Sequence, residues 1–384
     1  MATAVIVDAI RTPSGRGKQG GQLAAHHPAD LLAHVLENLV SRNGLDPATV
    51  DDVIAGCLSQ VGTQAVNIAR NAVLAAGFPE SVPATTIDRQ CGSSQQAATF
   101  AAQGVLAGAY DVVIACGVEL MSSHPINVAT LGEDPFGPRM RARYPEGLVG
   151  QGVSAELIAA KWNLERDALD EFSARSHRLA ASADFSTEVL AVDGITSDET
   201  VRPGTTVESL AGLKPAFRDE AIAARFPQID WRITAGNSSP LTDGASAVLI
   251  MSEERALQLG LRPRARFHSS AVVGSDPVEM LMGVVPATRK VLDRAGLTID
   301  DIDTFEVNEA FASVPLAWQA EVGADPERVN PRGGAIALGH ALGSSGTRLL
   351  GTMLGNLEQS GGRYGLQVMC EGGGMANATI IERL

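Results

Sequence analysis

Three side chains able to carry nucleophilic or proton-transfer chemistry lie where the chain is built to turn sharply: Cys91, His340 and Cys370. Cys91 stands in Asp88-Arg89-Gln90-Cys91-Gly92-Ser93-Ser94-Gln95-Gln96-Ala97, between an apolar, β-branched lead-in (Val82 to Ile87) and a helix-length run of small residues (Ala97 to Gly108). Gly92 and Ser93 suit a tight turn and a helix start. Unpaired N–H groups and the positive end of a helix dipole can bring a thiol from about 8.5 into the range of about 3.5–7.5, so thiolate at neutral pH is expected here. The competing reading is a free cysteine packed as a small hydrophobe.

His340 stands in Asn330-Pro331-Arg332-Gly333-Gly334-Ala335-Ile336-Ala337-Leu338-Gly339-His340-Ala341-Leu342-Gly343-Ser344-Ser345-Gly346. Glycine at this density weakens a packed segment unless the backbone turns unusually or approaches something closely. Cys370 ends an apolar run and is followed by Glu371-Gly372-Gly373-Gly374, a run that can aim backbone N–H groups at a developing oxyanion. The alternative is a tight strand-to-strand turn with a buried thiol, which is the reading given to Cys116. Asn308, in Glu306-Val307-Asn308-Glu309-Ala310-Phe311-Ala312, reads by itself as an amide capping a helix start. Gly15-Arg16-Gly17-Lys18-Gln19-Gly20 matches a dinucleotide-binding pattern, but no helix follows directly and no acidic residue ends a second strand. It is a turn-rich loop.

The elements that position these residues come in two sets. Ser41-Arg42-Asn43-Gly44-Leu45-Asp46 resembles Asp293-Arg294-Ala295-Gly296-Leu297-Thr298, and at nearly the same offset Gly92-Ser93-Ser94 matches Gly343-Ser344-Ser345. Val50 to Gly56 likewise falls on Ile302 to Asn308, and Val113 to Gly117 on Gln367 to Glu371. Each set reads as amphipathic helix, strand, small-residue helix, strand. The helices include Ala29 to Val40 and its shorter partner Ala287 to Leu292; the strands include Asp52 to Ala55, Asp111 to Cys116, Thr304 to Val307 and Gly365 to Met369. Near-continuous apolar strands separated by helices mean a sheet buried on both faces, hence α/β. His340 then lies just ahead of the position matching Cys91, and pseudo-twofold halves bring both helix starts to one cleft. Residues 121–235, with a polar helix over Arg166 to Ser182, have no duplicate and read as an inserted loop domain. The expected division is 1–120 plus 236–260, 121–235, and 261–384. Asp243 to Met251 is expected as a helix turn running into a buried strand.

Composition sets limits. The 384 residues are 45% hydrophobic and 19% charged, ordinary for a soluble protein, with 40 glycines and a net charge of −14. With no basic run, nucleic acid is disfavoured, whereas an anionic small molecule held by local Arg and Lys is not. Four scattered cysteines form no disulfide framework and fit a reducing compartment. A strand pattern begins almost at once (Thr3 to Ile10) and no long apolar run follows, so a cytoplasmic protein without a membrane span is expected.

Together the Cys91 turn, Asn308-Glu309-Ala310-Phe311-Ala312, the Gly-Gly…Gly-His340 segment and Cys370-Glu371-Gly372-Gly373 resemble the thiolases, in order and over the whole length. The resemblance implies a duplicated fold of two βαβαβαββ halves with an inserted loop domain. It also implies 3-oxoacyl-CoA cleavage to acetyl-CoA and acyl-CoA, or the reverse condensation. Coenzyme A thioesters would be substrates, with no permanently bound cofactor, no metal, and a homodimer or homotetramer as the assembly. By the same resemblance Cys91 carries the acyl group and His340 accepts its proton. Cys370 is the second acid/base, Asn308 holds a water beside His340, and the N–H groups of Cys91 and Gly372 form a second oxyanion hole. Ser239 touches the pantetheine arm, and Lys214 and Arg218 are candidate phosphate partners. Ala341 stands where the family usually has proline, Gly150-Gln151-Gly152 replaces a His-Met pair of acetoacetyl-CoA-specific members, and Pro240 follows Ser239 unusually. The alternatives are a ketoacyl-synthase-like condensing enzyme, against which Cys370 speaks, and a non-catalytic acyl-CoA-binding protein, which has no need of Cys91 and His340. A zinc protein on Cys91, Cys370 and His340 lacks acids at ligand spacing.

Overall fold

The structure is a computed structural model describing residues 2–384. In chain order the first part holds β1 (Ala4–Arg11), β2 (Gly15–Arg16), α1 (Pro28–Arg42), β3 (Asp52–Gly56), α2 (Ile68–Ala75), β4 (Ala84–Ile87), α3 (Ser93–Leu106) and β5 (Val112–Leu120). Five helices follow: α4 (Gly137–Arg143), α5 (Gln151–Lys161), α6 (Arg166–Ser182), α7 (Val207–Ala211) and α8 (Glu220–Arg225). Then come β6 (Thr242–Ser252), α9 (Glu253–Gln258), β7 (Ala265–Gly274), α10 (Val284–Ala295), β8 (Thr304–Val307), α11 (Ser313–Val322), α12 (Ala335–Leu338), α13 (Ser345–Ser360), β9 (Tyr364–Glu371) and β10 (Met375–Arg383).

The strands run β4-β3-β5-β6-β1-β7-β10-β9-β8, with β2 paired to β6. The order mirrors itself about the β1/β7 contact. On one side β3 is parallel to β5, and β5–β6 and β6–β1 are antiparallel. On the other, β8 is parallel to β9, and β9–β10 and β10–β7 are antiparallel. The counterpart of β4 is reduced to one parallel bridge, Phe305 to Val329. The duplication expected from the sequence is therefore carried by the strand pairing. The segment between β5 and β6 adds no strand to this sheet.

Side-chain alternation along the strands sorts the core into layers. Ile114, Cys116, Val118, Leu249 and Met251 pack with the buried face of α1 (Leu31, Leu32, Val35, Leu36, Leu39). Val113, Ala115, Val248 and Ile250 face the other way, onto Ala97, Ala98 and Ala101 of α3 and Leu350, Met353 and Leu354 of α13. Leu366, Val368, Ala378 and Ile380 pack with α10 and α11. The small residues of α3 let it meet α13 at backbone distance: a Cβ on Gly346 would lie 2.0 Å from the Gln95 nitrogen. Gly56, Gly117 and Gly343 close the same junction, so these glycines serve the approach of the two helix starts.

Two local expectations need correction. Asp243 to Ala245 is strand, not a helix turn. Gly244 pairs with Glu119, and the Asp243 carboxylate accepts the Ser122 N–H at 2.8 Å, so partners on both sides outweigh a turn-like composition. Asn308 is not a cap: α11 starts at Ser313, and the Asn308 N–H continues the β8–β9 ladder by donating to the Val368 carbonyl at 3.0 Å.

Candidate active site

Cys91 sits where β4 has ended and α3 begins. Gln90 has φ of +50°, a conformation that side chains rarely adopt, and it turns the chain so that Cys91 immediately precedes the helix cap Gly92. The turn is tied by the Arg89 N–H donating to Ser93 Oγ at 2.9 Å and by Ser93 Oγ donating to the Gln90 carbonyl at 2.6 Å. Cys91 is buried against Met121, Leu342, Leu349 and Met369. Burial pushes its thiol up to about 12; the Gln151 amide pulls against this, the Glu371 carboxyl adds to it, and the N–H groups of Gly372 and Cys91 itself oppose it. Burial thus works against the thiolate expected at a helix start.

His340 lies in the loop between α12 and α13, five residues before the helix rather than at its cap. Its N–H donates to Thr242 Oγ1 at 2.8 Å, and Gly339, at φ of +83°, makes room for Thr242. The ring's Nδ1 lies 2.7 Å from Ser345 Oγ. The Ser345 hydroxyl proton is already donated to the Ala341 carbonyl at 2.8 Å. Nδ1 must therefore carry the ring proton, leaving Nε2 unprotonated. Burial holds the imidazole down to about 3, and the Arg348 guanidinium acts in the same direction. His340 is neutral at physiological pH and able to accept a proton.

Asn308 joins the remaining members. Its Nδ2 lies 3.4 Å from His340 Nε2, and its side chain works against the rise of the neighbouring Cys370 thiol. Cys370, at the end of β9, is raised by burial first and then by neighbouring Cys91 and Glu371. Cys91, Cys370, Asn308 and His340 thus lie together in one buried cluster. Gly372 opens the three-residue β9–β10 turn, with Gly373 and Gly374 at φ near +80°. Cys116, by contrast, is a buried thiol in the α1 layer, raised by desolvation alone. Gly15 and Arg16 pair with Asp243 and Thr242 in a short ribbon.

Ser239 is partly buried, and its N–H donates at 3.0 Å to the carbonyl of Ala310, two residues beyond Asn308. Lys214 and Arg218 do not join the cluster: both are exposed, and Arg218 pairs with Glu220 at 3.2 Å. They flank Phe217, which packs edge-on against Phe311 at 5.8 Å and covers Gly152. That contact holds the start of α5, from which the Gln151 amide reaches to 3.9 Å from Cys91 Sγ. Among the described residues no three His, Cys, Asp or Glu side chains group as a metal site, and no helix is long and apolar enough to cross a membrane.

Family models described as "Thiolase, N-terminal domain" and "Thiolase, C-terminal domain" match residues 4–254 and 261–383. The chain belongs to the thiolase family. It is 49% identical to a steroid 3-ketoacyl-CoA thiolase of Mycobacterium tuberculosis, over 100% of this chain and 95% of that one. It is 45% identical to a 3-ketoacyl-CoA thiolase of Erwinia tasmaniensis over 100% of both chains. The crystal structure of the Bacillus anthracis acetyl-CoA acetyltransferase superposes with a TM-score of 0.87 at 37% identity, covering 100% of this chain and 99% of that one. This thiolase is accordingly an acyltransferase with the α/β fold described above.

The sequence reading noted Gln151 as a departure but not as a neighbour of the thiol, and it missed Ser345 and Thr242 altogether. Ser345 carries a signal only in hindsight: five residues after His340, at the first turn of α13, its hydroxyl can reach back to the ring.

Proposed function

We propose that this thiolase cleaves 3-oxoacyl-CoA with coenzyme A, or runs the reverse condensation, through an acyl thioester on Cys91. The observation that carries this reading is the gathering of Cys91, Cys370, Asn308 and His340 in one buried site, with an unprotonated Nε2 beside the Asn308 amide and two thiols acting on each other. In cleavage, Cys91 Sγ attacks the ketone carbon as its proton passes to His340. The bond between the ketone carbon and the adjacent carbon breaks, and the acetyl-CoA enolate takes the Cys370 proton. The Cys370 thiolate then deprotonates free CoA, which attacks acyl-Cys91. The Cys91 sulfur leaves as thiolate and recovers its proton from His340, so protons balance over the cycle.

Oxyanion stabilisation falls to His340 with a water held by Asn308 for one oxygen, and to the N–H groups of Cys91 and Gly372 for the other. The pull of both N–H groups on the Cys91 thiol supports the second assignment. In the domain division we infer, residues 1–120 with 236–260 and residues 261–384 are the two halves. Residues 121–235 are a loop domain over the site, contributing Gln151. Ser239 contacts the pantetheine arm, with Lys214 and Arg218 as phosphate partners on the rim. We read the enzyme as a cytoplasmic homo-oligomer acting on diffusible CoA thioesters without a resident cofactor. The test is Cys91→Ser assayed with a 3-oxoacyl-CoA and free CoA: thiolysis is abolished while CoA binding by calorimetry survives. Normal turnover by this variant would sink the assignment.

A further inference from the structure

One polar side chain beside the nucleophile has no role in the scheme above. Among the described residues, Gln151 is the only side chain within hydrogen-bond reach of Cys91 Sγ, its Nε2 lying 3.9 Å from the sulfur. The side chains packed around Cys91, those of Met121, Leu342, Leu349 and Met369, are apolar. Negative charge on a buried sulfur is costly unless a donor faces it. In the proposed reaction that charge arises twice, as Sγ gives up its proton to attack and again as CoA displaces it from the acyl group.

The amide is held by the helix that carries it. Gln151 is the first residue of α5 and is partly buried. Ser154 Oγ donates to the Glu279 carbonyl at 2.6 Å, and Ser313 Oγ donates to the Ala155 carbonyl at 3.0 Å. The buried Glu156 carboxylate accepts the N–H groups of Arg232 and Ile233, both at 2.8 Å. These bonds tie α5 to the β7–α10 connection, to α11 and to the chain before β6. The donor is therefore in place before substrate arrives, the condition for stabilising a charge that appears only during reaction. A carboxamide also suits the task chemically. It has N–H donors but no titratable proton, so it steadies a thiolate without competing with His340 for the proton. Burial pushes the Cys91 thiol up, and the Gln151 amide is foremost among the groups acting against that rise.

We infer that Gln151 is a further catalytic residue, donating its Nε2–H to Cys91 Sγ whenever that sulfur carries negative charge. The inference rests on the acyl-Cys91 reading and adds one group to it. Gln151 transfers no proton. On attack the sulfur's proton goes to His340 as the S–C bond forms, and on deacylation the S–C electron pair returns to Sγ, with the amide N–H bonded to the sulfur at both points.

The test compares wild type with Gln151→Met and Gln151→Glu. Alkylation of Cys91 by iodoacetamide at pH 8, followed by peptide mapping, needs no substrate, so its outcome is separate from the acyl-transfer assignment that Cys91→Ser tests. Gln151→Met keeps the length and loses the donor, and should slow alkylation about 3- to 10-fold. Losing a hydrogen bond to a charged acceptor lowers the thiolate fraction about 10- to 100-fold, and the more basic thiolate recovers part of this by reacting faster. The kcat for thiolysis should fall roughly 10-fold as well. Gln151→Glu keeps the shape with acceptors only, and should alkylate at least as slowly as Gln151→Met. An acid in the first turn of a helix favours the fold, so its thermal midpoint should not drop. Slow alkylation with an undiminished midpoint is an outcome that a merely structural role does not produce. If Gln151→Met fails to fold, Gln151→Glu decides alone. Alkylation at the wild-type rate in either folded variant overturns the inference, as does slowed alkylation with an unchanged kcat.

Discussion

The proposed nucleophile and its base rest as a neutral pair. Burial pushes the Cys91 thiol up to about 12 and holds the His340 ring down to about 3, so near neutral pH neither is charged and charge separates only on attack. Alkylation of Cys91 by iodoacetamide in the free enzyme should therefore climb about tenfold per pH unit from 7 to 9. A plateau near neutrality, measured by peptide mapping, would mean a pre-formed thiolate–imidazolium pair and contradict this reading. Ser345 fixes the tautomer, so Ser345→Ala leaves a buried N–H orphaned at about 1–3 kcal/mol and should lower kcat roughly 10- to 100-fold with little change in KM. An unaltered kcat would remove Ser345 from the account. At this scale the residue types in Cys91, His340 and Cys370 were readable because glycines and turns surround them. The protonation of Cys91 was not, because a helix start can be seen in sequence and the desolvation that outweighs it cannot. Ser345 and Gln151 acquire meaning only through tertiary contacts.

Elements meet the site through the crossing of α3 and α13. Ser94 Oγ accepts the Thr347 N–H at 3.0 Å, and Gly346 rests on the Gln95 backbone. Gly346→Ala would drive a methyl group into backbone that cannot yield, and a loss of about 1–3 kcal/mol or more is expected in urea unfolding. Gly204→Ala, with nothing within 4 Å of its added methyl, should stay within about 0.5 kcal/mol of wild type. Equal effects in the two variants would refute the close-approach argument. The duplication was legible because repeated short motifs kept their order, and α6 was placed to the residue at Arg166 to Ser182. The start of β6 was misread because Asp243-Gly244 looks like a turn until its neighbours β5 and β2 are in place. Asn308 was misread as a cap because a β-ladder bond five residues before a helix leaves no local trace.

Across the molecule, buried titratable groups pull stability in opposite directions with pH. Glu306 and Glu371 are fully buried, their carboxylate oxygens lack protein hydrogen bonds, and burial pushes both up to about 8. The folded chain keeps protons that the unfolded chain has released, so stability falls as pH rises from about 4.5 and levels off above about 8. His340, near 3, and His177, near 4, act oppositely: the unfolded chain takes up protons below about 6.5 and stability falls toward acid. Combining Glu306→Gln with Glu371→Gln should flatten the decline in thermal midpoint between pH 5 and 8; an unchanged slope would show that these carboxyls are not buried neutral. In the proposed function all of this serves a site that holds one acyl group on one sulfur. The most direct test is to incubate Cys370→Ala with acetyl-CoA and map the product by mass spectrometry. The expected result is one acetyl group on the peptide containing Cys91, with turnover blocked; an enzyme that stays unmodified, or is acetylated at another residue, would contradict the account.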